Sequence, residues 1–316
     1  MMIDKVVWVV GVGPMAIEYA KVLQDSNVKF KFIGRGKESA KIFKDKTGIT
    51  PFTGGLKFFL QQTKEIPSHV IVAVGHPELA EQTSILLEHG IKNILVEKPG
   101  SLYFNDLKKI KDNSKISKAN VLIAYNRRFF QSVKEAINLI KKDGGLLSAH
   151  FEFTELSHII SKLNKPEGVK ESWLIGNSSH VIDLAFFIAG RPKKLNALTY
   201  GSLDWHKTGS IFIGNGLTIE NVPFSYHSNW ESPGRWSLEF MTKNHRLILK
   251  PMERLQIIKV GSFEFEESDI DYLIDENYKP GLYKQTQAFL NNDFRNLCDI
   301  NDQVKNWITY EKIASY

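Results

Sequence analysis

The sequence predicts an α/β chain: a doubly wound parallel sheet over residues 1–124, then an α+β domain over 125–316 carrying a largely antiparallel open sheet. Three observations predict it. Through residue 124, short β-branched runs alternate with amphipathic helical stretches, the rhythm of a parallel sheet covered by helices. After Tyr125 that rhythm gives way to strand-like alternation broken by turn residues. Between the first strand and the first helix lies the turn Gly11-Val12-Gly13-Pro14-Met15-Ala16.

Val6 to Val10 is continuously apolar, as a parallel strand buried on both faces requires. Pro14 to Gln24 has helical spacing, and Val28 to Ile33 is the second strand. His69 to Val74 is another buried strand, with Pro77 placed to open a helix that runs through Leu79 and Ile85-Leu86-Leu87 to Gly90. Asn93 to Val96 and Val121 to Ala124 add two strands, and Lys108 to Lys118 reads as a solvated helix face. In the second domain, a helix over Gln131 to Lys142 ends at Gly144-Gly145. Strand alternation follows over Leu147–Glu155, Leu195–Tyr200, Ser210–Ile213, Leu217–Tyr226, Trp236–Met241 and Arg246–Leu249. Gly214-Asn215-Gly216 and Lys243-Asn244 read as turns between them. Helices over Leu282–Asn291 and Gln303–Ala314 close the chain and are placed to pack back on the first domain; Cys298 fits a helix-packing position.

Composition narrows the function. With 42% hydrophobic and 24% charged residues, 316 residues can build two ordinary globular cores. A net charge of +6 spread along the chain suits an anionic cofactor or substrate better than a nucleic-acid groove, so no nucleic-acid partner is expected. One cysteine excludes an internal disulfide and a cysteine-based metal site, and no metal-ligand cluster is visible. Val6 to Val12 is too short to span a membrane, and no cleavage-site pattern follows it; a cytoplasmic location is expected.

In the glycine turn, Gly11 permits the tight bend and Gly13 lets the backbone approach a pyrophosphate on the N–H groups of the following helix. Pro14 and Met15 open that helix, and Ala16 stands where helix meets strand. The pattern predicts a Rossmann dinucleotide-binding domain. At the end of the second strand, Ile33-Gly34-Arg35-Gly36-Lys37 lacks the acid that bonds a ribose 2′-hydroxyl, and Arg35 offers a fork for a 2′-phosphate. NADP is therefore preferred over NAD, with a solvated Arg35 as the alternative.

Several segments together resemble the glucose-fructose oxidoreductase/inositol dehydrogenase/MocA family. They are Val6–Ala16, Ala73-Val74-Gly75-His76-Pro77, Val96-Glu97-Lys98-Pro99, Tyr125-Asn126-Arg127-Arg128-Phe129 and His180-Val181-Ile182-Asp183-Leu184. The resemblance implies an oxidoreductase moving hydride between a nicotinamide and a sugar, cyclitol or nucleotide-sugar hydroxyl or ketone. It implies that Val74, Gly75, His76, Glu97 and Lys98 line the cofactor. Lys98 would polarise a carbonyl or steady an alkoxide, and His180 would exchange the hydroxyl proton. Because these two residues fall in different domains, the cleft between the domains is the expected active site. Asn126, Arg127 and Asn177 are the expected substrate contacts, and Arg127 or Arg128 is expected to form an inter-domain ion pair. Trp173, Trp205 and Trp230 are possible sugar platforms, with a core role as the default.

The chain also departs from the family pattern. Gly176 stands where many members have Asp and Asn177 where others have Glu, leaving Lys98 and His180 without a supporting acid in sequence. A regulator that binds cofactor without catalysis, or an NAD-assisted glycosidase, are the competing readings. Helices too few to cover both sheet faces, and apolar strands such as Trp236–Phe240, suggest a homodimer or homotetramer through the second-domain sheets.

Overall fold

The computed structural model describes residues 5–316; residues 1–4, part of the N-terminal stretch read for an export signal, lie outside the described residues. The chain forms two compact units. The first comprises the residues up to Tyr125 with Asn277–Val304, and the second Asn126–Glu276 with Lys305–Tyr316.

The first unit begins with β1 (Val6–Val10), α1 (Pro14–Gln24), β2 (Lys29–Ile33), α2 (Lys37–Thr47), α3 (Gly55–Gln62) and β3 (His69–Val72). It continues through α4 (Leu79–Glu88), β4 (Asn93–Glu97), α5 (Phe104–Ser117) and β5 (Asn120–Ala124). The second unit runs through a 3₁₀ turn at Asn126–Phe129, α6 (Gln131–Lys142), β6 (Ser148–Glu152) and α7 (Ser157–Ile160). A π-helical turn at Leu174–Ser178 then leads into α8 (Ser179–Ala189). Strands β7 (Pro192–Tyr200), β8 (Ile211–Thr218), β9 (Pro223–Asn229) and β10 (Ser237–Met241) follow. Next come β11 (His245–Leu249), β12 (Gln256–Lys259), β13 (Glu266–Glu267) and α9 (Leu273–Asn277). The chain then supplies α10 (Leu282–Leu290), β14 (Cys298–Asp299) and α11 (Ile300–Ala314).

The first sheet has the order β14-β5-β4-β3-β1-β2 and is parallel except at β14. Val7, Trp8 and Val9 are fully buried, which explains the unbroken apolar run of β1. The expected helix at Pro77 begins as a 3₁₀ turn, His76–Glu78, before α4. Helix α2 has no counterpart in the sequence expectations because it buries only Ala40 and Phe43, too thin a stripe to show as helical periodicity. Cys298 is not a helical packing residue as expected: it lies in β14, antiparallel to Ile123 of β5, where a two-residue strand covers the β5 edge.

The second sheet has the order β13-β12-β11-β10-β6-β9-β8-β7 and is largely antiparallel, with one parallel pair between β6 and β9. Gly214-Asn215-Gly216 is not a turn. It lies within β8, bonded to β7 on one side and β9 on the other. A Cβ on Gly214 would meet the Tyr226 ring at 2.4 Å, and one on Gly216 the Lys194 carbonyl oxygen at 2.0 Å and the Phe224 ring at 2.7 Å. These glycines therefore make room for an aromatic ring at Gly214, and for the neighbouring backbone and a ring at Gly216, rather than for a bend. The reversal comes at Ile219 to Val222, where Asn221 takes φ 60°.

Helix α8 covers one face of this sheet, where Phe151 stacks on Tyr226 at 5.3 Å and meets Phe186 edge-on at 5.5 Å. Leu238 and Phe240, expected on an uncovered face, are fully buried. Exposed apolar side chains lie instead on β7 and β8, where Leu198 stands opposite Ile213. Trp230 is likewise fully buried and donates to the Phe153 carbonyl.

The turn from β10 to β11 is anchored at the end of α6. The Asp143 carboxylate accepts from Thr242 Oγ1 at 2.5 Å and Asn244 Nδ2 at 3.0 Å, and lies 2.6 Å from His245 Nδ1. Burial pushes this carboxyl up, but the hydrogen bonds from Thr242, His245 and Asn244 outweigh it and hold the group at about 2. A carboxyl lower in the folded than in the unfolded chain adds stability above its ordinary value of 3.8, and that stability is lost as pH falls toward about 2. Asp143→Asn should thus lower stability by about 2 kcal/mol at neutral pH. In urea titrations from pH 5 to pH 2 the gap to wild type should close below pH 4; a gap that stays constant would rule out the assignment.

Candidate functional site

The first unit gathers its candidate residues at the carboxyl ends of β1 to β4, the edge where open α/β sheets take ligands. Gly11 takes φ 126° and donates its N–H to the Ile33 carbonyl at 2.9 Å. A Cβ there would lie 2.2 Å from the Ala73 carbonyl oxygen, so only glycine fits. Gly13 caps α1 with φ −84° and ψ −170°, and a Cβ built on it would meet nothing within 4 Å. No side chain caps this helix end, no acid lies in its first turn, and Pro14 occupies its start with Met15 half-buried behind it. An uncapped helix N-terminus behind open space is a cradle for an anion. Gly34 packs against Val12, where a Cβ would lie 2.9 Å from a methyl group. Arg35 is exposed, and its guanidinium lies 2.8 Å from Glu78 Oε1. Val74, Gly75 and His76 line the next loop, with Gly75 exposed at the head of the 3₁₀ turn.

Glu97 and Lys98 follow β4. The Glu97 carboxyl is buried and accepts from Tyr19 Oη at 2.9 Å; Gln285 Nε2 donates to the same phenol at 3.3 Å. Burial raises the Glu97 carboxyl above its ordinary range, against the lowering effects of the Lys98 charge, the Tyr19 hydrogen bond and Lys279. Burial, then the Glu97 charge, pushes the Tyr19 phenol well up. Glu97 is thus the end of a buried relay rooted in α1 and α10, and Lys98 beside it is half-buried. Gln303 Nε2 steadies the next residue through the Pro99 carbonyl at 2.9 Å and the Tyr125 hydroxyl at 3.1 Å.

The second unit carries Asn126, Arg127, Asn177 and His180. His180 is buried in the first turn of α8, and its ring lies 6.1 Å from that of Trp236. The Arg127 guanidinium covers the same indole at 4.9 Å, so Trp236 joins the two residues. Asn126 is buried at the head of the 3₁₀ turn. Arg128 forms a two-pronged pair with Asp183 at 2.8 and 2.5 Å. Both residues belong to the second unit, so the Arg128 pair lies within that unit.

A carboxylate absent from the helix stands beside it instead. Glu155, just past β6, is buried and accepts from Asn177 Nδ2 at 3.0 and 3.2 Å and from Ser178 Oγ at 2.6 Å. The turn Leu174–Ser178 is π-helical, so an acid one α-turn before His180 would not have faced as the simple spacing implies. Sequence reasoning missed Glu155, Trp236, Tyr19 and Gln285. The one signal for Glu155 was its place at a strand end, and nothing in sequence tied it to Asn177. Of the other aromatics, Trp173 and Trp205 are half-buried and meet edge-on, with Trp205 stacked on the buried Trp230. His206 is buried between the Gly209 carbonyl and the Tyr316 hydroxyl, both at 2.7 Å.

Known proteins share this fold. No curated protein sequence matches the chain. Among solved structures, the dehydrogenase MviM from Clostridium difficile is 18% identical over 99% of this chain and 99% of its own, with a TM-score of 0.80. An oxidoreductase from Agrobacterium radiobacter in complex with NAD+, L-tartaric acid and magnesium is 14% identical over 98% of this chain and 94% of its own, with a TM-score of 0.79. The WlbA dehydrogenase from Chromobacterium violaceum, in complex with NADH and UDP-GlcNAcA, is 14% identical over 99% and 94%, with a TM-score of 0.75. At these identities the likeness is one of fold. The sequence itself matches one family model, the GFO_IDH_MocA oxidoreductase family with an NAD-binding Rossmann fold, over residues 5–125. Over residues 5–125, then, the chain is similar to the NAD-binding Rossmann domain of the oxidoreductases that this family model describes.

Proposed function

We propose that the protein is an NAD(P)-dependent dehydrogenase or reductase acting on a hydroxyl or ketone of a sugar, cyclitol or nucleotide sugar. The observation that carries the reading is the uncapped N-terminus of α1, with space in front of Gly13 at the carboxyl edge of a parallel sheet. The complexes of the similar oxidoreductase with NAD+ and of the similar WlbA dehydrogenase with NADH and UDP-GlcNAcA support it. Gly11, Gly13, Pro14 and Met15 would hold the pyrophosphate, while Gly34 and Arg35 would take the adenosine end and favour NADP. Val74, Gly75, His76, Glu97 and Lys98 would line the rest of the dinucleotide. When bound, the nicotinamide supplies the hydride chemistry. Lys98 then offers positive charge to the reacting oxygen, and His180 exchanges its proton. Asn126, Arg127 and Asn177 would meet the substrate, with Glu155 orienting the Asn177 amide.

Fluorescence titration of NADPH and NADH tests the carrying observation. Gly13→Ala should leave unfolding by urea unchanged, because its Cβ meets no protein atom and its backbone angles suit any residue. The same variant should weaken both nucleotides by roughly ten-fold or more, since backbone contact with the pyrophosphate needs that space. Unchanged affinity would remove the cradle from the account. A screen of sugars and nucleotide sugars, following nicotinamide absorbance and product together, then separates a dehydrogenase from an NAD-assisted glycosidase. The latter makes product with no net absorbance change.

A further inference from the structure

Arg35 and Glu78 follow β2 and β3, and the sheet order places β1 between those two strands. Strands in a sheet lie about 4.8 Å apart, so a contact between these loops bridges roughly 10 Å across the carboxyl end of β1. That end is the Gly11–Gly13 turn. The two side chains meet across it, with Arg35 Nη2 at 2.8 Å from Glu78 Oε1. Both backbones are held in place. Gly34 donates to the Phe52 carbonyl at 2.7 Å, and the Arg35 carbonyl accepts from Gly54 at 3.2 Å. On the other side Glu78 donates its N–H to the Gly75 carbonyl at 2.9 Å. The side chains themselves are 80% and 36% exposed, so the pair is weak and exchangeable.

We infer that Glu78 is a cofactor-selectivity residue: it occupies the Arg35 guanidinium that an adenosine 2′-phosphate needs, and so holds down the preference for NADP over NAD. The inference rests on the dinucleotide reading above. A 2′-phosphate must take Arg35 from Glu78 and then sit beside a carboxylate of its own sign. A 2′-hydroxyl meets neither cost. The acid absent from the end of β2 is in this way replaced by one from the neighbouring loop, acting through Arg35 rather than on the ribose.

Titration of NADPH and NADH against wild type, Glu78→Gln and Glu81→Gln tests this. Glu81, paired with the exposed Lys57, controls for a general change of charge. Glu78→Gln should tighten NADPH roughly three- to ten-fold and leave NADH within two-fold, while Glu81→Gln changes neither ratio. Placed on Arg35→Ala, Glu78→Gln should lose most of that gain, because no guanidinium is left to release. The inference is overturned if Glu78→Gln tightens both nucleotides alike, if its gain persists in full without Arg35, or if it weakens NADH with NADPH unchanged. If the wild-type protein binds neither nucleotide, the dinucleotide reading falls and this inference falls with it.

Discussion

Replacing His180 by alanine should lower turnover by roughly 10² to 10⁴ while NADPH and NADH affinities stay within about two-fold of wild type. The separation of the two effects follows from where the residues lie. Every proposed dinucleotide residue is at the carboxyl ends of β1 to β4 in the first unit, whereas His180 is in α8 of the second. A positioned imidazole that exchanges the substrate proton also leaves one ionisation in the pH–rate profile, and His180→Ala should abolish it. Lys98→Ala should lower turnover by a similar factor and also weaken cofactor binding, because Lys98 directly follows the dinucleotide edge. With a sugar or nucleotide sugar that turns over, either variant within a few-fold of wild type would strip that residue of its role.

The largest expected loss of stability is at Asp183. Its carboxylate is 1% exposed and takes both prongs of the Arg128 guanidinium, which is itself only 8% exposed. Asn306 adds a third contact at 3.4 Å, and the Phe187 ring covers the guanidinium at 4.6 Å. Asp183→Ala leaves a buried guanidinium without its counter-charge, a change that costs about 3–5 kcal/mol. Replacing both members, as in Arg128→Met/Asp183→Leu, should recover most of that loss, since the pair's own attraction barely repays its desolvation. Urea unfolding of the single and double variants decides the matter; a single variant within about 1 kcal/mol of wild type would show that the pair is not what fixes α8 against the 3₁₀ turn. This geometry also bears on Arg127. With its neighbour committed to Asp183, Arg127 is the arginine of the two that reaches Trp236.

Strands β1, β3, β4 and β5 of the first unit were legible because nearly all their residues are buried, and the glycine turn because its spacing is that of a strand-to-helix turn open to an anion. Legibility failed where a residue's partner lies far away in sequence. Gly214 and Gly216 look like a turn until the Tyr226 ring, and the Lys194 carbonyl with the Phe224 ring, are seen to fill the space their missing side chains leave. Cys298 shared a helical apolar pattern, yet the edge of β5 claimed it as a strand. Glu155 shows the same limit at the site. The residues one helical turn before His180 include no acid, and the carboxylate that holds Asn177 and Ser178 comes from just past β6, more than twenty positions earlier. A pattern within one element reports that element's own periodicity; it carries no information about which other element will supply the missing group.

The path of the chain constrains how this protein can be recombined. The first unit is completed by Asn277–Val304, so it is not a contiguous module. A graft of residues 1–125 alone would leave Tyr19 without Gln285 and the β5 edge without Cys298 and Asp299. Chimeras with related chains need three junctions, after Tyr125, before Asn277 and after Val304, and a single-crossover library would pair one parent's relay to Glu97 with the other parent's glutamine.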